Sequence, residues 1–357
     1  MTRPVTLFAA ATLIPIPLLL GAAAFGGGFV IAALLYLTLF TFALDELVAF
    51  AGEDALEGSE FPAADTLSAC LAVAHYLLLA VAVWAISGDG LHSTWEKVGL
   101  FAAFGIFFGQ VSNSNAHELI HRSSRGLRRL GAWVYITLLF GHHTSAHTRI
   151  HHRYIGTVND PNTARLGESF YAYAVRAWGG SFKAGLEVES ALLEQREGAV
   201  RLWQHPYAFY IGGAAFVIVC AALIGGLGGV IAFIGLALYA QMQLLLSDYV
   251  QHYGLVRQML PNGKPEPVAA RHSWNAPHWF SSALMLNAPR HSDHHAHPGK
   301  LYPALTLPDT DDAPMLPRSL PTMAVLALYP PFWRKVMDPR AMEWRVGIGS
   351  QSRMAAE

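Results

Sequence analysis

Histidine is the residue of this sequence best suited to chemistry: the chain has 357 residues, 17 of them histidines, and nine of these occur in four short motifs. Within a motif the histidines are mostly three or four residues apart, a spacing that places them on one face of a helix. Imidazoles spaced in this way can bind a common metal ion. The motifs are HELIHR with His117 and His121, HTRIHH with His147, His151 and His152, QHYGL with His252, and HSDHH with His291, His294 and His295.

Nine imidazoles are too many for one transition-metal ion, which accepts about six ligands, so the motifs predict two metal ions. Shells made only of imidazole suit iron, copper, zinc or nickel, and the spacing does not choose among them. Helical spacing predicts that partners within a motif face one centre: His117 with His121, His147 with His151, and His291 with His294 and His295.

The remaining histidines and the cysteines give weaker signals. Isolated histidines are interpreted as ordinary polar residues, and those beside a motif are equally consistent with spare ligands and with structural roles. The cysteines form no Cys-x-x-Cys pair, which argues against a disulfide framework and an iron–thiolate site. The isolated histidines are His75, His92, His205, His272 and His278, those beside motifs are His142, His143 and His297, and the cysteines are Cys70 and Cys220.

The elements that position the motifs are predicted to be membrane helices. The composition is 53% hydrophobic and 14% charged, with a mean hydropathy of +0.32. A helix needs about 20 mainly apolar residues to cross a bilayer. Six stretches qualify, which predicts an all-α integral membrane protein of three helical hairpins, with the first stretch retained rather than cleaved. They lie near Thr6 to Phe25, Phe29 to Phe50, Leu67 to Ser87, Val98 to Asn115, Tyr207 to Ile224 and Gly229 to Ser247. The first and third hairpins are predicted to turn at glycine clusters, Gly26 to Gly28 and Gly225 to Gly229.

Basic residues predict the orientation, because they remain on the cytoplasmic side. Apart from Lys97, every Lys and Arg lies at the N-terminus, between Arg122 and Arg201, or from Arg257 onward. Both termini and all four motifs are therefore expected on the cytoplasmic face of a bacterial inner membrane. The expected divisions of this one functional domain are helices 1–4 in 1–116, a histidine-motif loop in 117–206, helices 5–6 in 207–247, and a tail in 248–357. The loop and tail should form one cap that completes the metal site.

Two shorter apolar pieces, Leu130 to Phe140 and Met323 to Phe332, are too short to cross and are predicted to be buried or re-entrant. The net charge of −1 gives no reason to expect a nucleic-acid partner. There is also no convincing dinucleotide fingerprint, so electrons for redox chemistry should come from a separate protein.

In their order and separations, the motifs resemble those of the membrane alkane 1-monooxygenases, within the superfamily of membrane fatty-acid desaturases and xylene monooxygenase. The resemblance covers about Asn113 to Arg340 and includes NDPNTARLGES, HSWN and VMDP. It implies that all nine motif histidines bind two irons, that O2 is the co-substrate, and that the ends of alkanes are hydroxylated to 1-alkanols. It also implies rubredoxin, reduced by rubredoxin reductase, as the electron donor. The basic cluster Arg125, Arg128 and Arg129 could attract this donor, or it could face the anionic inner leaflet of the membrane.

The acidic residues near the motifs are predicted partners of the ligand imidazoles. Glu118 and Asp293 lie inside motifs. Where the family usually has glutamate directly before its lone histidine, this chain has Gln251, and an acid, Asp248, lies four residues before His252. Four residues is one helical turn, so we hypothesise that Asp248 accepts a hydrogen bond from His252.

The motifs are also consistent with other functions. The same iron site would support a fatty-acyl desaturase or hydroxylase, or a xylene-type methyl hydroxylase. A transition-metal transporter would need ligands near the bilayer midplane, where this sequence offers only His75.

Overall fold

The computed structural model describes residues 5–47, 54–56, 58–197 and 201–354, in which the regular structure is helical and contains no strand. The end of the second predicted stretch, 48–50, lies outside these residues. The helices are α1 Thr6–Leu13, α2 Pro15–Phe25, α3 Gly27–Leu35, α4 Thr41–Leu47, α5 Ala64–Ser87, α6 Thr94–Phe107, α7 Asn113–Ile120, α8 Arg125–Thr137, α9 His143–Ala146, α10 His152–Tyr154, α11 Phe170–Glu197, α12 Pro206–His252, α13 Trp279–Leu284, α14 His291–Ala296, α15 Leu320–Ala327 and α16 Pro330–Met354.

Three five-residue π-helical turns interrupt these helices, at Tyr36–Phe40, Phe108–Ser112 and His147–His151. The first connects α3 to α4, the second connects α6 to α7, and the third connects α9 to α10. A π turn makes i→i+5 hydrogen bonds, so it rotates the side chains that follow it relative to an α-helix, and such turns are frequent at functional sites.

Four stretches of the described chain are long and apolar enough to cross a membrane: Thr6–Phe25, Gly27–Leu47, Ala64–Ser87 and Pro206–His252. The predicted stretch Val98 to Asn115, which runs through α6, the π turn Phe108–Ser112 and the start of α7, is not among them.

The long helix α12 reverses direction near its middle. Gly225 and Gly226 have non-helical backbone angles, with φ of +57° at Gly226, a conformation that favours glycine. Both arms reach the region just after α8: Tyr210 shares a 2.9 Å hydrogen bond with Ser145, and Gln241 Nε2 donates to the carbonyl of Leu138 at 2.8 Å. The two arms therefore form a helical hairpin that turns at the predicted glycine cluster.

The helices pack around buried apolar residues, with close contacts where glycine permits them. A side chain at Gly131 of α8 would meet Leu119 and the backbone of α7, so this glycine allows α7 and α8 to approach. His75 of α5 is fully buried and hydrogen bonds to Ser112 at 3.0 Å and Thr137 at 2.9 Å, which agrees with its interpretation as a polar structural residue.

The two short apolar pieces differ in their burial. Within Leu130 to Phe140, residues 131–132, 134–138 and 140 are buried. Met323 to Phe332 is only partly buried, because Val325 and Phe332 are exposed.

Candidate metal centre

The nine motif histidines converge in two groups, and within each group the candidate ligand atoms lie within 4.8 Å of one another. The first group takes its histidines from the end of α7, the loop that follows and the tail. The second takes them from the same loop, the end of α12 and the tail, so residues distant in sequence complete each group. The first group is His117, His121, His147, His152 and His294, and the second is His151, His252, His291 and His295.

The spacing of the ring nitrogens fits metal ligation. In the first group, the Nε2 atom of His147 lies 2.8 Å from that of His117 and 3.0 Å from that of His152, which lies 3.1 Å from that of His294. Two imidazole nitrogens bound at right angles to one ion, each about 2.1 Å from it, would be about 3 Å apart. The residues present therefore suit a transition metal with an all-imidazole shell.

The second group has the same spacing. The Nε2 atom of His291 lies 2.9 Å from that of His252 and 3.1 Å from that of His295. Nε2 of His151 is buried and has no hydrogen-bond partner among the residues that the structure describes. The groups adjoin each other, since the rings of His152 and His295 are 4.5 Å apart between centroids. Two ions bound here would be close neighbours.

The pairing of histidines differs from the helical expectation at two places. His147 shares its group with His152, five residues later, and not with His151. The π turn His147–His151 is the reason, because its hydrogen bonds connect residues five apart. In α14, His291 and His295 belong to one group and the intervening His294 to the other, so this short helix lies between the groups.

Burial favours neutral imidazoles, whose lone pairs are available to a metal. It lowers the pKa of His291 to about 3 and that of His121 to about 4, and repulsion by the positive charge of His151 lowers both further. His151 is the exception: burial would lower its pKa, but the charge and hydrogen bond of Asp160 outweigh burial and raise it.

Asp160 is a partner of the ligand set that the sequence analysis missed. Its Oδ2 accepts a 2.9 Å hydrogen bond from Nδ1 of His151, and both side chains are buried. Thr163 Oγ1 and the backbone N–H of Asn162 also donate to this carboxylate, at 2.7 and 3.0 Å. Asp160 follows Asn159 and precedes Pro161 in the NDP segment, a turn sequence whose proximity to HTRIHH was the available signal.

The three acids predicted as imidazole partners have other contacts. Glu118 accepts from the backbone N–H of Tyr302 at 2.9 Å and pairs with Arg122. Asp248 accepts from Asn162 Nδ2 at 2.7 Å rather than from His252, whose Nδ1 makes no such bond. The carboxylate of Asp248 therefore faces the loop that holds Asp160 and Asn162.

Asp293 likewise joins parts of the tail. It binds His297 Nδ1 at 2.8 Å, Lys300 Nζ at 2.6 Å and the backbone N–H of Thr306 at 2.8 Å. His297 is thus a structural neighbour and belongs to neither histidine group. Gln251, in the position of the family's glutamate, donates to the carbonyl of Ala288 at 3.0 Å and so ties α12 to the segment before α14.

A cavity of about 630 Å³ leads to the two groups and includes His117 and His291 in its wall. Its size is typical of a pocket for a small organic ligand. Away from the histidines the wall is mainly apolar, and at its edge Leu39, Phe42 and Val325 are exposed on the outer surface of the helices. Other apolar wall residues are Leu37, Ile106, Tyr239, Met242, Leu244, Leu246, Met285 and Leu328.

Comparisons with known proteins agree with this geometry. The family model described as fatty acid desaturase matches residues 93–326. The chain is 34% identical to alkane 1-monooxygenase 1 of Alcanivorax borkumensis, over 76% of this chain and 67% of that protein. It is 32% identical to alkane 1-monooxygenase 2 of Pseudomonas aeruginosa, over 76% and 72% respectively. The xylene/toluene monooxygenase hydroxylase component of Pseudomonas putida is 26% identical, over 64% and 60%.

Proposed function

Because this chain belongs to the alkane 1-monooxygenase branch of the fatty acid desaturase family, we propose that it hydroxylates the terminal carbon of alkanes at a histidine-held diiron centre. The observation that supports this most directly is the pair of adjacent, all-imidazole groups at the end of a mainly apolar cavity. One atom of O2 enters the terminal C–H bond to give a 1-alkanol. The other leaves as water, with two electrons from a donor and two protons.

We assign one iron to each histidine group, with all nine histidines as ligands. The irons, when bound, supply the redox chemistry of O2 activation. The protein orients and shields them: Asp160 fixes the ring of His151, and burial of both groups excludes water from the reacting end of the substrate.

The substrate enters from the lipid. Leu39, Phe42 and Val325 form an exposed apolar edge of the cavity, so an alkane dissolved in the membrane can pass between α4 and α15 without crossing water. The cavity wall includes His117 and His291, so a chain that fills the cavity with one end at the histidines presents its terminal carbon.

The electron donor is a separate protein, rubredoxin, reduced by rubredoxin reductase.

We further propose six spans as three hairpins in a bacterial inner membrane, with the metal site and termini cytoplasmic. The reversal of α12 and the four apolar stretches support this topology. Residues 1–116, 117–206, 207–247 and 248–357 then form one functional domain, since ligands from the second and fourth parts meet in each group and residues of the first and third parts line the cavity.

The experiment uses the iron-loaded protein in lipid with rubredoxin, its reductase, NADH, an n-alkane and ¹⁸O2. The expected product is a 1-alkanol that carries one ¹⁸O atom. An alkene would indicate a desaturase, and conversion only of fatty-acyl chains or methyl-arenes would replace the alkane assignment.

A further inference from the structure

The cavity contains an amide, Gln110, that an unsubstituted alkane does not use. Gln110 lies on the π turn Phe108–Ser112 and lines the cavity. Its Oε1 atom is buried and, among the described residues, has no hydrogen-bond partner. A buried amide oxygen without a partner is unfavourable, and an alkane can donate no hydrogen bond in compensation.

Neighbouring polar residues of the same cavity are satisfied by the backbone. Gln243 Nε2 donates to the carbonyl of Gly105 at 2.8 Å, and Asn113 Nδ2 donates to that of Gly109 at 3.1 Å. Thr41 Oγ1 donates to the carbonyl of Tyr36 at 2.9 Å. Asn113 and Thr41 bind carbonyls of the two π turns that face the cavity, where the helical ladder changes its register, and Gln243 binds a carbonyl of α6. Within the described part of the chain, Oε1 of Gln110 has no such structural contact.

The position of Gln110 in the chain gives its distance from His117 of the first histidine group. It precedes His117 by seven residues on the continuous helical segment that comprises the π turn and α7. At a rise of 1.5 Å per residue this separation is about 10 Å. Both residues line one cavity, so a single chain can contact them together.

The charges of the cavity wall favour a ligand whose polar group is neutral. Among the described residues, the cavity is lined by two acids, Asp45 and Asp248, and by no Lys or Arg, so a carboxylate on the ligand would be repelled. A hydroxyl both donates and accepts, and therefore complements either orientation of the Gln110 amide.

We propose that Gln110 binds the hydroxyl of a primary alcohol whose opposite, methyl end lies at the histidine groups. The protein then accepts 1-alkanols of medium length in addition to alkanes and converts them to α,ω-diols. This inference rests on the proposed function for its reaction. Its stoichiometry is the same: one oxygen atom of O2 enters the methyl C–H bond and the other forms water, with two electrons from the same donor and two protons.

The test measures binding to the metal-free protein in lipid nanodiscs, by displacement of a fluorescent alkyl probe with 1-octanol or n-octane. We expect Gln110→Leu and Gln110→Met to weaken 1-octanol binding about tenfold, the effect of one hydrogen bond in a buried site, and to leave n-octane binding unchanged or tighter. Comparison of one ligand between variants cancels its partition into the lipid. The control Met242→Leu, an apolar exchange in the same wall, should affect both ligands alike.

Equal weakening of both ligands by the Gln110 variants, or no weakening of either, would overturn the proposal. Because this binding does not require iron, it separates the inference from the proposed function. With iron and the donor present, the expected product of 1-octanol is 1,8-octanediol. Loss of all hydroxylation with the alcohol preference retained would contradict the proposed function only.

Discussion

Nδ1 of His151 donates a hydrogen bond to Oδ2 of Asp160 at 2.9 Å, which leaves Nε2 of the same ring free to face the second histidine group. The bond fixes the tautomer and the orientation of the imidazole, and the buried carboxylate increases its basicity. Asp160 is therefore a positioning residue for one of the two metal ions.

Replacement of Asp160 by Ala should weaken iron binding to the second group by about 10- to 100-fold and leave the first group occupied. Iron titration of the purified protein would measure this as one weak and one unchanged binding constant. Glu189→Gln is the matched control, because Glu189 is also a buried acid but its carboxylate pairs with Arg149 at 2.7 Å and not with a ligand histidine. Two unchanged constants in Asp160→Ala would show that the hydrogen bond does not support the site.

Adjacent residues of α14 should affect different ions. His295→Ala leaves three candidate ligands in the second group, whereas His294→Ala leaves four in the first. We expect each variant to weaken one iron-binding constant, with the greater loss in His295→Ala because fewer ligands remain. If both variants weaken the same constant, the division into a group of five and a group of four is wrong.

Glu118 and Arg122 of the first motif hold the tail in place. Glu118 accepts from the backbone N–H of Tyr302, and both members of the Glu118–Arg122 ion pair are buried. Glu118→Ala leaves Arg122 without this partner and should lower stability by about 3 kcal/mol, seen as a lower melting temperature of the metal-free protein in detergent. The double variant Glu118→Ala, Arg122→Ala should recover part of the loss. A melting temperature equal to that of the wild type would refute the role of the pair.

Ile106 should limit the length of the substrate. It lines the cavity eleven residues before His117, about 16 Å along the helical segment. Ile106→Trp fills this end, so we expect products from long n-alkanes to fall at least tenfold while shorter ones are still converted. Ile106→Leu, of nearly equal volume, is the control. A uniform fall across all chain lengths would place the end of the substrate elsewhere.

The sequence predicted the helical class, the grouping of nine histidines as candidate ligands and the reversal of α12 at glycine. It did not predict which histidines share an ion, because the π turn His147–His151 has no sequence pattern that separates it from an α-helix. Asp160 was not predicted as the partner of His151, for a different reason. Glu118 and Asp248 were predicted to bond to ligand imidazoles and instead bond to Tyr302 and Asn162. The bonds of Glu118 and Asp248 join residues distant in the chain, as with Glu118 and Tyr302. The bond of His151 depends on the turn that brings Asp160, nine residues later, back to the ring, and the spacing of the motif describes neither case.

The iron content of the protein after anaerobic ferrous reconstitution and removal of loosely bound metal tests the proposed diiron centre most directly. We expect two irons per chain, with 1-alkanol formed from an n-alkane only when both are present. One iron per chain with full activity, or zinc retained without activity after iron reconstitution, would contradict a diiron hydroxylase.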